Sequence, residues 1–377
     1  MKLLTEENAA LFNWDQLCNI DKYYSRHLQR QKDQIAKPLY YASLAGMTEA
    51  SETLLNMRAD VNAQGGQYGN ALQAASVQGH DTIGKLLIEN GADPNAQGGY
   101  YGNALQAALN GGHEAIVKLL IENGADVNAQ GGEYGNALQA ASYTGHERFA
   151  KLLIGKGAYV NAEGGRYGNA LQAASYEGHE VVAKLLIDKG ADVNTQGGKY
   201  GNALQAASSE GHEAIAKMLI LKGAYINAQG GFYGNALQAA SSRGHEAIAK
   251  LLLEKKADVN SQGKYYGNAL QAASNGGHEA IAKLLIDMGA DINAHRGYFG
   301  NALQAASYRG HEAIAKLLIE RGADVNAQGG AYGSALQAAS DAGHDAITRL
   351  LIDRGAHINT MVRSDVPKVS IAQHMAE

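Results

Sequence analysis

Cysteine, proline and tryptophan are scarce in this chain of 377 residues, which has one cysteine, three prolines and one tryptophan. Cys18 alone cannot form an intrachain disulfide, so a disulfide framework is excluded and a reducing compartment fits. No apolar run approaches the roughly 20 residues that a membrane-spanning helix needs, and no Asn-X-Ser/Thr glycosylation acceptor occurs. Glu6 and Glu7 make the first residues a poor signal peptide. These absences predict an intracellular, cytoplasmic protein, with the nucleus as an alternative.

A strong excess of charge is also missing. The net charge is -5 and the sequence pI is about 6.2. This balance provides no global attraction to nucleic acid or to an anionic membrane. We therefore expect neither of them as a partner.

Glycine, in contrast, is abundant at 47 residues and recurs at fixed positions of a repeat. The word Gly-Asn-Ala-Leu-Gln begins at Gly69 and returns every 33 residues as far as Gly300, and Gly-Ser-Ala-Leu-Gln follows at Gly333. A weaker copy, Lys37-Pro38-Leu39-Tyr40-Tyr41-Ala42, lies one period upstream. A period of this length with two short helical segments per unit predicts a solenoid whose core grows with each unit.

The residues of one unit predict two helices. Asn103 is placed as the N-cap of a first helix, which its alanines keep thin. Gly111 and Gly112 turn the chain, and the aliphatic residues after His113 are spaced to bury one face of a second helix. Gly124 then supplies a left-handed C-cap.

This pattern resembles the ankyrin repeat. The family's Thr-Pro-Leu-His-x-Ala reads here Asn-Ala-Leu-Gln-Ala-Ala, while Gly-His and Gly-Ala-Asp-Val-Asn-Ala stand unaltered in most units. The resemblance implies an all-α solenoid of about ten stacked helix-turn-helix units with β-hairpin loops, and a concave groove that binds other proteins. We expect ten repeats of 33 residues over 32–361, an N-terminal helical cap over 1–31, and a C-terminal cap or tail over 362–377.

The wording Gly-Gly-x-Tyr-Gly-Asn-Ala-Leu-Gln-Ala-Ala-Ser is similar to the ankyrin arrays of fungal NOD-like (NACHT-ankyrin) receptors. Phe12-Asn13-Trp14 and Pro38-Leu39-Tyr40-Tyr41-Ala42 resemble the segment that leads into those arrays. Because the chain opens only a few residues before that segment, we expect the nucleotide-binding switch domain to be absent. The resemblance then implies a stand-alone or severed sensor arm.

Nine histidines recur every 33 residues, among them His80, His113 and His146. Successive packed helices lie roughly 10 Å apart, whereas zinc needs its ligand nitrogens within about 2.1 Å of one point. Equivalent histidines therefore cannot converge on one metal, and a structural role is predicted. We expect no metal, no cofactor and no catalytic residue.

Positions that vary while the surrounding pattern repeats are the candidates for binding. When the units are aligned, one variable position precedes the hairpin tyrosine and two follow the first helix. These positions contain more large aromatic residues than neutral sequence variation at a solvent-exposed surface should leave, although such variation is the alternative explanation. Cations gather in the same units as these rings, a combination that favours protein contacts with an acidic partner. The nearly invariant tyrosine beside the first column is either a stacking element or part of the strip. The predicted partner-binding residues are Phe232, Arg243, Lys264, Tyr265, Tyr266, His295, Arg296, Tyr298, Phe299, Tyr308 and Arg309.

Three functions remain open from the sequence. The favoured one is a non-catalytic, monomeric interaction module that binds another protein through its groove and hairpin tips. The second is a structural spacer without a dedicated ligand. The third is an unusual enzyme with a small-molecule pocket near His295, Arg296 and Tyr298, where tyrosine or histidine would move a proton.

Overall fold

The computed structural model describes residues 38–263 and 265–357, and their regular structure is helical. Twenty helices follow one another in this part of the chain: α1 Pro38–Leu44, α2 Thr48–Asn56, α3 Ala71–Gln78, α4 Asp81–Glu89, α5 Ala104–Gly111, α6 Glu114–Glu122, α7 Ala137–Tyr143, α8 Glu147–Gly155, α9 Ala170–Glu177, α10 Glu180–Asp188, α11 Ala203–Glu210, α12 Glu213–Leu221, α13 Ala236–Arg243, α14 Glu246–Glu254, α15 Ala269–Gly276, α16 Glu279–Asp287, α17 Ala302–Arg309, α18 Glu312–Glu320, α19 Ala335–Asp341 and α20 Asp345–Asp353. Odd-numbered helices are the first helix of a repeat and even-numbered helices the second. The predicted ten helix pairs are confirmed.

The pairs divide into two compact units. Unit 1 comprises the described residues up to Lys199 and holds α1–α10; unit 2 begins at Tyr200 and holds α11–α20. Within each unit, first helices pack on first helices and second helices on second helices. The predicted caps over 1–31 and 362–377 lie outside the described residues.

First helices are short because both of their ends are capped by the sequence. In α15, Asn268 is extended at φ -134°, and its side chain accepts a hydrogen bond from the backbone N–H of Gln271 at 2.9 Å. The C-cap, Gly277, takes the left-handed φ of 80°. Ala272 and Ala273 are fully buried, so neighbouring first helices can approach closely.

Second helices bury one aliphatic stripe. In α16 the buried side chains are Ile281, Ala282 and Leu285, at the spacing of one helical face. Gly289 ends the segment at φ 87°. None of the helices in the described ranges has the length and apolar character needed to cross a bilayer.

The hairpins between repeats contain very little strand. Four of them form an isolated antiparallel bridge between two glycines, as between Gly131 and Gly135. Successive hairpin tips are joined by backbone hydrogen bonds: in unit 2, Tyr298 N–H donates to the Tyr265 carbonyl and Ala331 N–H to the Tyr298 carbonyl, each at 2.9 Å. The tips of one unit therefore form a connected row.

A buried glutamine ties each first helix to the next hairpin. The Gln271 side-chain amide donates to the carbonyl oxygens of Ala294, Arg296 and Gly300, at 3.1, 3.0 and 2.7 Å. These carbonyls lie in a loop that has little strand pairing of its own, so the glutamine supplies hydrogen bonds that the loop needs. Equivalent contacts are made by Gln73 and Gln205.

Repeated histidines at the start of second helices contact the end of the first helix of the preceding repeat. His278 Nε2 lies 3.1 Å from the carbonyl oxygen of Ser242, at the end of the preceding first helix. Because that oxygen can only accept, Nε2 carries the proton. Equivalent contacts join His113 to Val77 at 3.0 Å and His344 to Tyr308 at 3.0 Å.

Candidate protein-binding surface

Two rows of rings cover the hairpins of unit 2. The outer row is Phe232, Tyr265 and Tyr298, with ring centroids 5.6 and 6.0 Å apart. The inner row consists of the repeated aromatic residue of each hairpin: Tyr233, Tyr266, Phe299 and Tyr332. Each outer ring meets its inner neighbour edge to face, for example Tyr265 and Tyr266 at 4.8 Å and 89°.

Two rings of the inner row are buried more deeply than the outer rings. Tyr266 is 8% exposed and Phe299 1% exposed, whereas the outer rings are half-buried. Tyr266 and Phe299, both among the predicted partner-binding residues, are thus packed beneath the surface. They hold Tyr265 and Tyr298 in place from below.

Tyr308 and Arg309 extend the rings at the end of α17. The Tyr308 ring stacks on that of Tyr332 at 4.1 Å and 19°. The guanidinium carbon of Arg309 lies 5.6 Å from the Tyr308 centroid and 5.9 Å from that of Phe299, and Arg309 Nε donates to Asn275 Oδ1 at 2.9 Å. An exposed cation is thereby fixed beside the aromatic surface.

The remaining predicted residues have other surroundings. Arg243 is exposed and forms an ion pair with Glu210 at 3.4 Å. His295 and Arg296 are exposed in their hairpin, and the His295 imidazole lies against Gly329, where an added Cβ would come within 2.4 Å of the ring. Lys264 lies outside the described residues.

Burial also determines the state of the phenols. It raises the pKa of Tyr265, and the neighbouring Tyr266 adds to the rise. Burial likewise raises the pKa of Tyr332, with hydrogen bonds to Tyr308 and Tyr298 contributing. These phenols therefore remain neutral hydrogen-bond donors at physiological pH.

Unit 1 carries a different arrangement of rings. Tyr101 stacks on Tyr134 at 6.1 Å, and the Asn110 amide bridges the two phenols: its nitrogen donates to Tyr101 at 2.9 Å and its oxygen accepts from Tyr134 at 2.6 Å. Tyr143 then inserts between the rings of Tyr134 and Tyr167, with both centroids 5.0 Å away. The rings here are cross-linked by hydrogen bonds.

Sequence comparison of the units missed this bridge. Asn110 sits in a variable column, but its amide can serve two phenols only because they belong to successive hairpins. Tyr100, 48% exposed, is more open than its neighbour Tyr101. The signal available was weak, because the same column also holds valine, tyrosine, serine, aspartate and a second asparagine, Asn275.

Metal chemistry finds no support among these side chains. In the ranges that the structure describes, no group of three or more histidine, cysteine, aspartate or glutamate residues is arranged to hold a metal ion. The chemical groups that the surface offers are aromatic faces, phenol hydroxyls and guanidinium groups.

Stacked helix pairs joined by hairpins define a repeat-array protein. Models of the family described as "Ankyrin repeats (3 copies)" match residues 9–98, 72–164, 140–230, 203–296 and 294–362. The chain therefore belongs to the ankyrin-repeat family. Domains of this family are generally protein–protein interaction modules and typically non-catalytic.

A solved structure supports the same fold. The crystal structure of the human ASB11 ankyrin repeat domain is 25% identical to this chain, with a TM-score of 0.51. The match covers 59% of this chain and 99% of that one. A search of curated proteins finds no match.

Proposed function

We propose that this chain is a non-catalytic interaction module that binds another protein through the hairpin surface of unit 2. We define the hairpin surface as Phe232, Tyr265, Tyr298, Tyr308 and Arg309. The observation that carries the proposal is the outer row of half-buried rings held edge-on over buried ones. Such rings are rigid before binding, so a partner gains large contact area at a small cost in conformational entropy.

The partner that fits this surface is a protein with acidic groups, bound by a single copy of this chain. Arg309 is held over the rings, and Arg296 and His295 are exposed in the hairpin of Tyr298. Neutral phenols add hydrogen-bond donors suited to carboxylates. Charge steering should raise the association rate, and that rate should fall as salt is added. A compartment inside the cell suits this function.

The test is a double substitution, Tyr298→Ala with Arg309→Ala, compared with Tyr159→Ala. Tyr159 is an exposed tyrosine of unit 1, 68% accessible, and so controls for the loss of a surface phenol. Partners captured from a cell lysate on the wild-type chain are quantified by mass spectrometry. We expect the double variant to lose a specific partner while its circular dichroism and melting temperature stay unchanged. An unaltered set of partners would instead favour the spacer function.

We also propose that the array is the sensor arm of a fungal NOD-like receptor system. What supports this is the wording Gly-Gly-x-Tyr-Gly-Asn-Ala-Leu-Gln-Ala-Ala-Ser, which is repeated with few changes along both units. Capture from a fungal lysate should then recover a protein with a nucleotide-binding switch domain. Recovery of unrelated proteins alone would contradict this more specific proposal and leave the interaction module standing.

A further inference from the structure

The repeat pattern of unit 2 changes at the ends of α12 and α14, away from the hairpin surface. The second helices of this unit end in an acidic residue, and Leu221 takes that position in α12. An aspartate follows four residues later in most of these repeats, and Tyr225 takes that position. Lys256 stands after α14 where the other four repeats of the unit have glycine.

These departures expose apolar side chains. Leu221 is 83% exposed and Tyr225 is 68% exposed. Met288, which follows α16 one repeat beyond Lys255, is 51% exposed. The loops that carry them are joined: Asp258 N–H donates to Asn227 Oδ1 at 2.8 Å, and the Asn260 amide donates to the Gly289 carbonyl at 3.1 Å. The exposed groups therefore lie on one surface.

The loss of the acid also leaves a lysine unneutralised. Two repeats further on, the acid at the helix end, Asp287, pairs with Arg321 of the following repeat at 2.8 Å. The same offset in sequence places Leu221 opposite Lys255. Within the part of the chain that the structure describes, Lys255 makes no ion pair. A cation beside an exposed leucine is the result.

Lys256 adds a second cation at a strained position. Its φ is 63°, whereas Gly289 and Gly322, at the equivalent place, have φ of 87° and 93°. For a residue with a Cβ, this left-handed backbone conformation raises the free energy of the folded state. Exposed leucine, unpaired lysine and strained lysine each oppose stability, and they occur together in two successive repeats. Departures from a repeated, stabilising sequence pattern are expected at functional sites.

We propose that this helix-end patch, formed by Leu221, Tyr225, Lys255, Lys256 and Met288, docks an acidic segment of another protein that carries an aliphatic anchor. The apolar groups would take the anchor, and the two lysines would pair with carboxylates on either side of it. Five side chains make a small contact, so the complex is transient.

Two other occupants fit the patch less well. A second copy joined through the same patch in a two-fold dimer would set Lys255 and Lys256 against their own equivalents. Proteins bind an anionic membrane surface through clusters of roughly four to eight basic residues. Here Glu254 and Asp258 flank the two lysines in sequence, which suits a discrete pattern of partner charges instead.

The experiment uses variants that restore the repeat pattern. The restored variant carries Leu221→Glu, Tyr225→Asp and Lys256→Gly, changes that supply an acid opposite Lys255 and remove the strained lysine. It should be at least as stable as the wild-type chain, so any loss of binding cannot come from unfolding. Arg58→Gly is the matched control, because Arg58 has the same left-handed backbone, φ 62°, in unit 1.

A display library of random 16-residue peptides is selected on the full wild-type chain and counter-selected on the restored variant. We expect enriched peptides to share two or more carboxylates around an aliphatic residue, and to bind the restored variant about tenfold more weakly or worse by fluorescence anisotropy, with affinity falling as salt rises. Arg58→Gly and the hairpin variant Tyr298→Ala with Arg309→Ala should bind them like the wild-type chain.

Three results would overturn the proposal. They are a selection that enriches no peptide, enriched peptides without carboxylates, and sedimentation of the wild-type but not the restored variant with phosphatidylserine vesicles. Dimerisation of the wild-type chain that the restored variant loses, seen by sedimentation velocity, would likewise replace the acidic segment with a second copy. None of these outcomes depends on the hairpin surface, whose own test uses different residues.

Discussion

At the scale of single residues, two residues of the described ranges other than glycine have a left-handed backbone conformation. Lys256 and Arg58 have φ of 63° and 62°. For an L-residue the Cβ then crowds the following carbonyl, which costs about 1–2 kcal/mol. Lys256 stands out in the sequence, because glycine fills that position in the units around it, whereas Arg58 lies in the degenerate first repeat and does not stand out in this way.

We therefore expect Lys256→Gly to stabilise the chain. The gain should be about 1 kcal/mol, reduced somewhat by the greater freedom of glycine in the unfolded state. Urea unfolding followed by circular dichroism measures it as a higher midpoint. Arg58→Gly should behave alike, and the reverse change, Gly289→Lys, should lower the midpoint. Equal midpoints for Lys256→Gly and the wild-type chain would mean that the lysine is accommodated without strain.

The buried glutamines give a second prediction at this scale. Gln271→Leu fills similar volume but leaves the carbonyls of Ala294, Arg296 and Gly300 without their donor. Unsatisfied buried groups cost about 1–3 kcal/mol each when no water replaces the partner. We expect destabilisation of at least about 2 kcal/mol, together with faster hydrogen exchange in the hairpin of Tyr298.

Gln337, in the last described repeat, provides the control. Its side chain is exposed and donates to Asp341 in the same helix at 2.6 Å. Gln337→Leu removes the same amide without stranding the carbonyls of another hairpin. Its unfolding midpoint should stay close to that of the wild-type chain. A loss as large as that of Gln271→Leu would show that helix propensity, and not the buried contact, sets the effect.

At the scale of elements, the ends of each first helix follow from the sequence. Asparagine was predicted as the N-cap, and Asn301 accepts from the Gln304 N–H at 2.8 Å. The serine that replaces it in the last described repeat performs the same function, since Ser334 Oγ accepts from the Gln337 N–H at 3.1 Å. What the pattern could not predict is the second use of the glutamine, because its acceptors lie 23 to 29 residues away in a loop without sheet structure.

This capping supports a prediction for α17. Asn301→Ala removes the acceptor and should destabilise the chain by about 1 kcal/mol. Asn301→Ser should retain most of the stability, as Ser334 does in its own repeat. Thermal unfolding of the two variants beside the wild-type chain distinguishes them. Equal losses for alanine and serine would indicate that the buried amide of Asn301 contributes through contacts other than the cap.

Packing between neighbouring elements also explains why the candidate binding surface could be predicted only in part. The variable columns located Tyr265 and Tyr298, which are half-buried and face outward. Tyr266 and Phe299 belong to the nearly invariant column beside them, and the sequence left open whether that column stacks within the array or contacts a partner. Burial of the inner ring arises from stacking between successive hairpins, as for Tyr233 and Tyr266 at 6.2 Å and 3°. That packing is a property of neighbouring repeats and cannot be seen in one unit.

At the scale of the whole molecule, three of the repeated histidines share the direction of their pKa shift. Burial lowers the pKa of His146 in unit 1 and of His245 and His311 in unit 2 below their usual 6.5. In the unfolded chain each histidine takes up a proton near its ordinary value. The unfolded state therefore binds more protons just below pH 6.5, and stability must fall with pH there.

We expect the free energy of unfolding to be constant above about pH 7, to decline as pH drops below 6.5, and to go on declining until the lowered pKa values of the folded state are passed. His245→Gln and His311→Gln keep a nitrogen donor for the Ser209 and Asn275 carbonyls while removing the proton uptake. Urea midpoints at pH 7.5 and 5.5 should then differ less in this double variant than in the wild-type chain. A pH dependence equally steep in the double variant would show that groups other than His245 and His311 determine the acid sensitivity.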